Sequence, residues 1–169
     1  MKKCILTYGL MAGSISIVLG LLNWFTVAQA YGVTVSRTIG YLSIILALLC
    51  IPLGIRYYRD RLNNGRITFG EAFRIGIGIT FITSFMIFLY SVLFFVFAGS
   101  TYDEWTRKGL SEAELNELQA RVAQAPDFVF TPWFQAFILF LTVFLIGVII
   151  DFISAMTLCR EAGLQSLNE

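Results

Sequence analysis

One carboxylate stands inside an otherwise apolar stretch of this chain. Asp151 lies in the run from Trp133 to Leu158, nine residues before Arg160. On a helix rising 1.5 Å per residue that is about 13 Å of depth. A charged carboxylate so deep in lipid costs on the order of 2–3 kcal/mol, and residues of this kind cluster on proton and ion pathways. Gly147, Asp151 and Ser154 share one helix face, so Asp151 is expected to face other helices. Arg56 and Arg74 are its candidate partners, because long basic side chains reach inward from helix ends. Cys50 and Tyr90 are candidate neutral partners. Two roles are open: a proton- or cation-binding group of a carrier, or a structural ion pair or hydrogen bond that fixes helix register. The structural role is the expectation. Carriers usually show several intramembrane polar groups, with broken helices or internal repeats. Here Asn23 and Gln135 sit near the outer ends of their helices, and the two halves show no repeat.

Little else in the chain can do chemistry. It has no histidine, which removes the commonest general base and metal ligand. Its three cysteines, Cys4, Cys50 and Cys159, form no CxxC pair. All three are placed in or beside the cytoplasmic half of a membrane, where a structural disulfide is not expected. Cys50 reads as a small packing residue. Asp103 and Glu104 could bind a cation, but adjacent exposed acids are ordinarily just solvated. No nucleophile–base pair can be assembled, so the chain is expected not to be an enzyme, and no cofactor or metal is expected. A net charge of +1 gives no reason to propose nucleic acid as a partner.

The elements that must position Asp151 are four apolar runs, roughly 5–27, 39–55, 75–98 and 133–158. Each is near or above the ~17–25 residues a helix needs to cross ~30 Å of hydrocarbon. Of the 169 residues, 57% are hydrophobic and 14% charged, against about 25% charged in a soluble domain. The predicted fold is all-α: a polytopic membrane protein with four transmembrane helices, about 4–28, 39–63, 68–98 and 132–159, in an antiparallel bundle. It forms a single membrane domain over 1–169, with an outer loop at 99–131. Lys2, Lys3, Arg56, Arg59, Arg61, Arg66, Arg74 and Arg160 fall on one side, and Arg37, Arg107, Lys108 and Arg121 on the other. Cytoplasmic segments carry the excess of Lys and Arg, so both termini are expected in the cytoplasm and the protein in the bacterial inner membrane. A cleavable leader ending at Ala28-Gln29-Ala30 is the competing reading of the first run. Its apolar stretch exceeds the usual ~7–15 residues.

Small residues repeat at helical spacing. Gly9 and Gly13 form a GxxxG in the first helix, and Gly40, Ser43, Ala47, Cys50 and Gly54 mark a seam in the second. Such stripes let backbones approach closely in lipid. They serve either packing within the bundle, which is the expectation, or homodimerisation. Asn64-Gly65 reads as a left-handed helix end, and Thr68 with Glu71 as a capping box. The short link between them makes helices 2 and 3 neighbours, with its arginines and tyrosines at anionic headgroups. Ala72, Gly76 and Thr80 stand four apart at the start of a Phe-rich third helix. Ser111 with Glu114 is a second capping box. Leu115, Leu118, Val122 and Ala125 then follow with helical spacing, predicting a short amphipathic helix at about 111–125 on the outer surface. Thr131-Pro132 opens helix 4.

Three segments resemble a family of small bacterial membrane proteins, the domain of unknown function forty-one ninety-nine. They are Tyr8-Gly9-Leu10-Met11-Ala12-Gly13 behind Lys2-Lys3, the stretch from Gly65 through Arg66-Ile67-Thr68-Phe69-Gly70-Glu71 to Gly76, and Gly147-Val148-Ile149-Ile150 running to Arg160. The resemblance implies a four-helix inner-membrane protein of a Gram-negative bacterium. It implies no activity, cofactor or catalytic residue. The expected role is a non-enzymatic accessory, scaffold or sensor component, with membrane lipid as its surroundings and either a membrane protein partner or a homo-oligomer. The alternative is a small proton- or cation-linked carrier or channel using Asp151.

Overall fold

A computed structural model describes residues 1–108, 110–124 and 126–159, apart from the side chains of Leu118, Arg121 and Ala123. Arg160, counted above as a cytoplasmic charge, and Ala125 of the amphipathic stripe lie outside the described residues, as do the side chains of Leu118 and Arg121. The described chain is helical. In order, α1 spans Lys2–Leu22, a π-helical turn Asn23–Val27, α2 Ala28–Leu48 and α3 Cys50–Tyr57. A second π turn, Tyr58–Leu62, follows, then α4 Phe69–Lys108, α5 Glu112–Gln124, a 3-10 turn Asp127–Phe130 and α6 Pro132–Leu158. Three helical stretches are long and apolar enough to cross a membrane: Lys2–Leu62, Phe69–Lys108 and Pro132–Leu158.

The first stretch is not straight. Gly32 has φ 79° and ψ −175°, a region open essentially to glycine alone, and there the chain leaves the helical conformation. The cysteine thiol of Cys4 donates to the Gly54 carbonyl (3.4 Å). The amide of Asn23 donates to the carbonyl and hydroxyl of Ser36, both at 3.0 Å. The expected ten-residue connection between helices 1 and 2 is therefore corrected to a break at one glycine. The break leaves carbonyls of the preceding turn without helical partners, and the Trp105 indole donates to one of them, Ala28 O, at 2.9 Å. That bond needs α4 to be longer than expected. It continues ten residues past position 98, to Lys108, so the outer connection begins correspondingly later.

A second interruption falls at Leu49, three residues before Pro52. Proline inside a helix removes one backbone donor and crowds the carbonyl four residues earlier, here Leu48. Beyond it α3 packs on both α4 and α6, whereas α2 touches those two helices only sparsely. The main core lies on the α3 side: Leu48, Ile51, Ile55, Ile67, Ala72, Ile75, Ile79 and Ala155 are all buried together.

The local signals hold. Asn64 (φ 52°) and Gly65 (φ 77°) are left-handed, and Gly65 N–H reaches back to the Arg59 carbonyl at 2.8 Å. Thr68 N–H donates to Glu71 Oε2 (3.1 Å) while Glu71 N–H donates to Thr68 Oγ1 (3.3 Å). The Ser111–Glu114 box closes in the same way. Thr131 Oγ1 accepts from Phe134 N–H. One arginine departs from its expected place at the headgroups. Arg59 is 7% exposed, paired with Asp60 (2.6 Å), and donates to the Leu158 carbonyl at the end of α6 (3.3 Å). It thereby ties the 58–68 turn to the last turn of α6, where a cation also meets the negative end of the helix dipole.

Candidate functional site

Asp151 sits where α6 meets α4. Small residues on α4 make room for it: Ala72, Gly76, Thr80 and Ser84, one turn apart, are all buried. A methyl group added to Gly76 would collide with the carboxylate of Asp151, and one added to Gly147 would collide with Thr80. The two helices thus interlock, with a glycine on each facing a polar side chain on the other. Asp151 is 0% exposed. Both of its carboxylate oxygens lack a hydrogen-bond partner, as do the hydroxyls of Thr80 and Ser84 on the same face of α4.

The expected ion pair is not formed. Arg56 is tied to Asp60 (3.6 Å) with its side chain 68% exposed, and Arg74 is exposed. The reason is angular. Gly76 faces Asp151, and Arg74, two residues away, lies on nearly the opposite side of a helix with 3.6 residues per turn. Neither Cys50 nor Tyr90 bonds to the carboxylate, and Tyr90 lies along a separate cavity. An ionised carboxylate buried without a partner costs several kcal/mol, and carrying a proton removes most of that cost.

The remaining packing residues split into two groups. Gly9 and Gly13 meet α4: a Cβ at Gly9 would come within 2.8 Å of Ile82 Cβ, and one at Gly13 would press on Met86. Gly54 is closed by Ile79 and Tyr8, and Ala47 is fully buried. These stripes serve contacts within the chain. Gly40 and Ser43 are less tightly packed: a Cβ at Gly40 would come no nearer than 3.7 Å to a neighbour, Asn23. They line a cavity of about 290 Å³ between α1, α2, α4 and α6, in the half of the molecule where α2 touches α4 and α6 only sparsely. Ser16, Ile44, Ile87 and Leu139 form its deep end, and Asn23, Trp24, Arg37, Tyr102 and Trp105 its rim. A second cavity, about 540 Å³, is lined by Lys2, Lys3, Tyr8, Tyr57 and neighbours at the opposite end. Asp151 lines neither.

The rim cavity was missed by sequence reasoning. Its signals were Pro52 inside an apolar run, and Gly40, a small residue read as part of a packing seam. Among the described residues no group of three or more His, Cys, Asp or Glu side chains is placed to hold a metal ion.

With this geometry in hand, comparison with known proteins gives one match. The profile of a protein family of unknown function, DUF4199, matches residues 7–160. The chain belongs to that family. Lys2-Lys3 aside, the match covers the three segments that carried the resemblance and nearly all of the described helices. No curated protein and no solved structure matches the chain.

Proposed function

We propose that this member of DUF4199 is a four-span protein of the bacterial inner membrane, with both termini in the cytoplasm. In this reading it is a non-enzymatic accessory, scaffold or sensor component that works through helix packing with a membrane partner. Four spans are supported by length: the 61-residue stretch Lys2–Leu62 would be about 90 Å as one helix, three times the ~30 Å hydrocarbon core. The reversal at Gly32 divides it in two. Alternation is supported by Cys4 against Gly54, Gly76 against Asp151 and Gly147 against Thr80. Arg59 against Leu158 supports a shared end for the 58–68 turn and the end of α6. That end carries most of the Lys and Arg, the pattern of a cytoplasmic face.

The observation that carries the packing role is the closure of the α4–α6 seam. A carrier must open its carboxylate to water from at least one side, and Asp151 is walled in by Gly76 and lines neither cavity. The proton- or cation-linked carrier remains the second reading, favoured by one feature: Thr80 and Ser84 add unpartnered hydroxyls along the same seam. Purification in mild detergent, with the mass of the intact particle and identification of what co-purifies, tests the first reading. A stoichiometric membrane partner supports it. A lone monomer or homo-oligomer contradicts it. Proton flux into liposomes that falls on Asp151→Asn would establish the carrier instead.

A further inference from the structure

We propose that the rim cavity between α1, α2 and α4 holds part of one acyl chain of an anionic phospholipid, with the headgroup on Arg37. The cavity has the shape and chemistry for it. Its deep end is mostly apolar, walled by Ile17, Ile44, Ile87 and Leu139 beside Ser16, and one cation, Arg37, lines it. At about 290 Å³ it lies at the small end of ligand sites, ~300–1,000 Å³. That is room for part of one chain rather than a whole two-chain lipid, so the rest of the lipid stays in the bilayer.

Three observations make this a built site and not a packing flaw. First, the space is maintained by the backbone. Gly20 and Gly40 both line it with no contact tighter than 3.7 Å to a built Cβ, and the interruption at Leu49 before Pro52 separates the half of the helix that packs on α4 and α6 from the half that touches them only sparsely. Second, a polar side-chain atom that finds no partner in the protein lies along it at the rim, the side-chain oxygen of Asn23. Third, Arg37 is exposed and neither bonds nor pairs with any described residue, although a guanidinium offers five donors.

The charge decides the headgroup class. A choline headgroup would call for open aromatic faces around a cation. The rim aromatics are instead closed on one another: Trp24 meets Phe94 edge-to-face at 5.3 Å and Trp105 at 5.4 Å, with Tyr102 against both tryptophans. A phosphodiester carrying net negative charge matches the free guanidinium at the mouth. Assignment to the outer leaflet rests on the orientation proposed above. The site itself does not, and it is independent of whether a protein partner exists.

The test is native mass spectrometry of the full-length protein in mild detergent, with equimolar phosphatidylglycerol and phosphatidylcholine added. Wild type is expected to retain one phosphatidylglycerol in preference to phosphatidylcholine. Arg37→Gln should lower that preference about fivefold, the usual effect of one cation on anionic lipid. Arg107→Gln, a cation outside the cavity, should leave it unchanged. Gly40→Leu, or Ser91→Leu from the opposite wall should the first not fold, fills the space and should abolish retention. Wild type showing no preference, Arg37→Gln matching wild type, or filled cavities retaining lipid equally well would each overturn the proposal. Retained lipid on a lone particle would support this site while contradicting the accessory role.

Discussion

Gly76→Ala is the substitution to which the α4–α6 seam is most sensitive. The added methyl lands on the Asp151 carboxylate, so either the side chain leaves its rotamer or the helices part. Overpacking of this kind costs about 1–3 kcal/mol. Asp151→Ala works the other way. It loses contacts, yet it removes an acid whose oxygens are unpartnered, and an unmade buried hydrogen bond costs about 1–3 kcal/mol. Those two effects nearly cancel, so the single change should sit within about 1 kcal/mol of wild type. In Gly76→Ala/Asp151→Ala the new methyl occupies the vacated space. The double variant should then be close to wild type, with a coupling energy of at least about 1 kcal/mol between the two sites. Reversible unfolding in detergent micelles of all four proteins measures it. Additivity within ~0.3–0.5 kcal/mol, the value for sites that do not touch, would refute the interlock.

Other perturbations have defined outcomes. Gly32→Ala forces a side chain into φ 79° and should destabilise by about 1–3 kcal/mol, while Gly70→Ala, where a Cβ meets open space, should change little. Arg59→Met removes the clamp on the Leu158 carbonyl and should cost about 1.5–3 kcal/mol, as for hydrogen bonds to charged groups, with faster amide exchange in the last turn of α6. The Glu114 carboxyl is held below the ordinary carboxylate range by the Ser111 backbone N–H, then by the Ser111 hydroxyl. A depressed value means the cap is intact above the ordinary range and is lost as pH falls through the folded value. Protection of the amides at the start of α5, corrected for the intrinsic pH dependence of exchange, should therefore fall in acid, and Glu114→Gln should remove most of that pH dependence.

What the sequence made legible was local or one-dimensional. Asp151 announced its depth through the apolar run around it, and its inward face through Gly147 and Ser154. Thr68, Ser111 and Thr131 announced caps because each bond is closed within three residues. The partner of Asp151 was not legible, since it depends on register between two helices far apart in sequence. Only the pairing of position 76 with 151 decides that a glycine, not an arginine, meets the acid. The bend at Gly32 was hidden by Thr34, Ser36, Arg37 and Thr38, polar residues that read as a loop but are tolerated in helix at a membrane surface. The extension of α4 through Tyr102 and Trp105 was hidden likewise, by acids and aromatics that suit an interface. The cavity was furthest from reach, because Gly40 and Ser43 look identical whether a neighbour packs on them or stands away.

The most direct measurement is cysteine accessibility across the membrane. Single cysteines at Thr34, Asn63 and Ser111, in a chain whose three native cysteines are replaced by serine, would be challenged with an impermeant thiol reagent in intact spheroplasts. Four spans with cytoplasmic termini require Thr34→Cys and Ser111→Cys to label from outside, and Asn63→Cys to label only after lysis. Labelling of Asn63→Cys in intact spheroplasts, or protection of Thr34→Cys, would contradict the arrangement on which the orientation and the leaflet of the lipid site both depend.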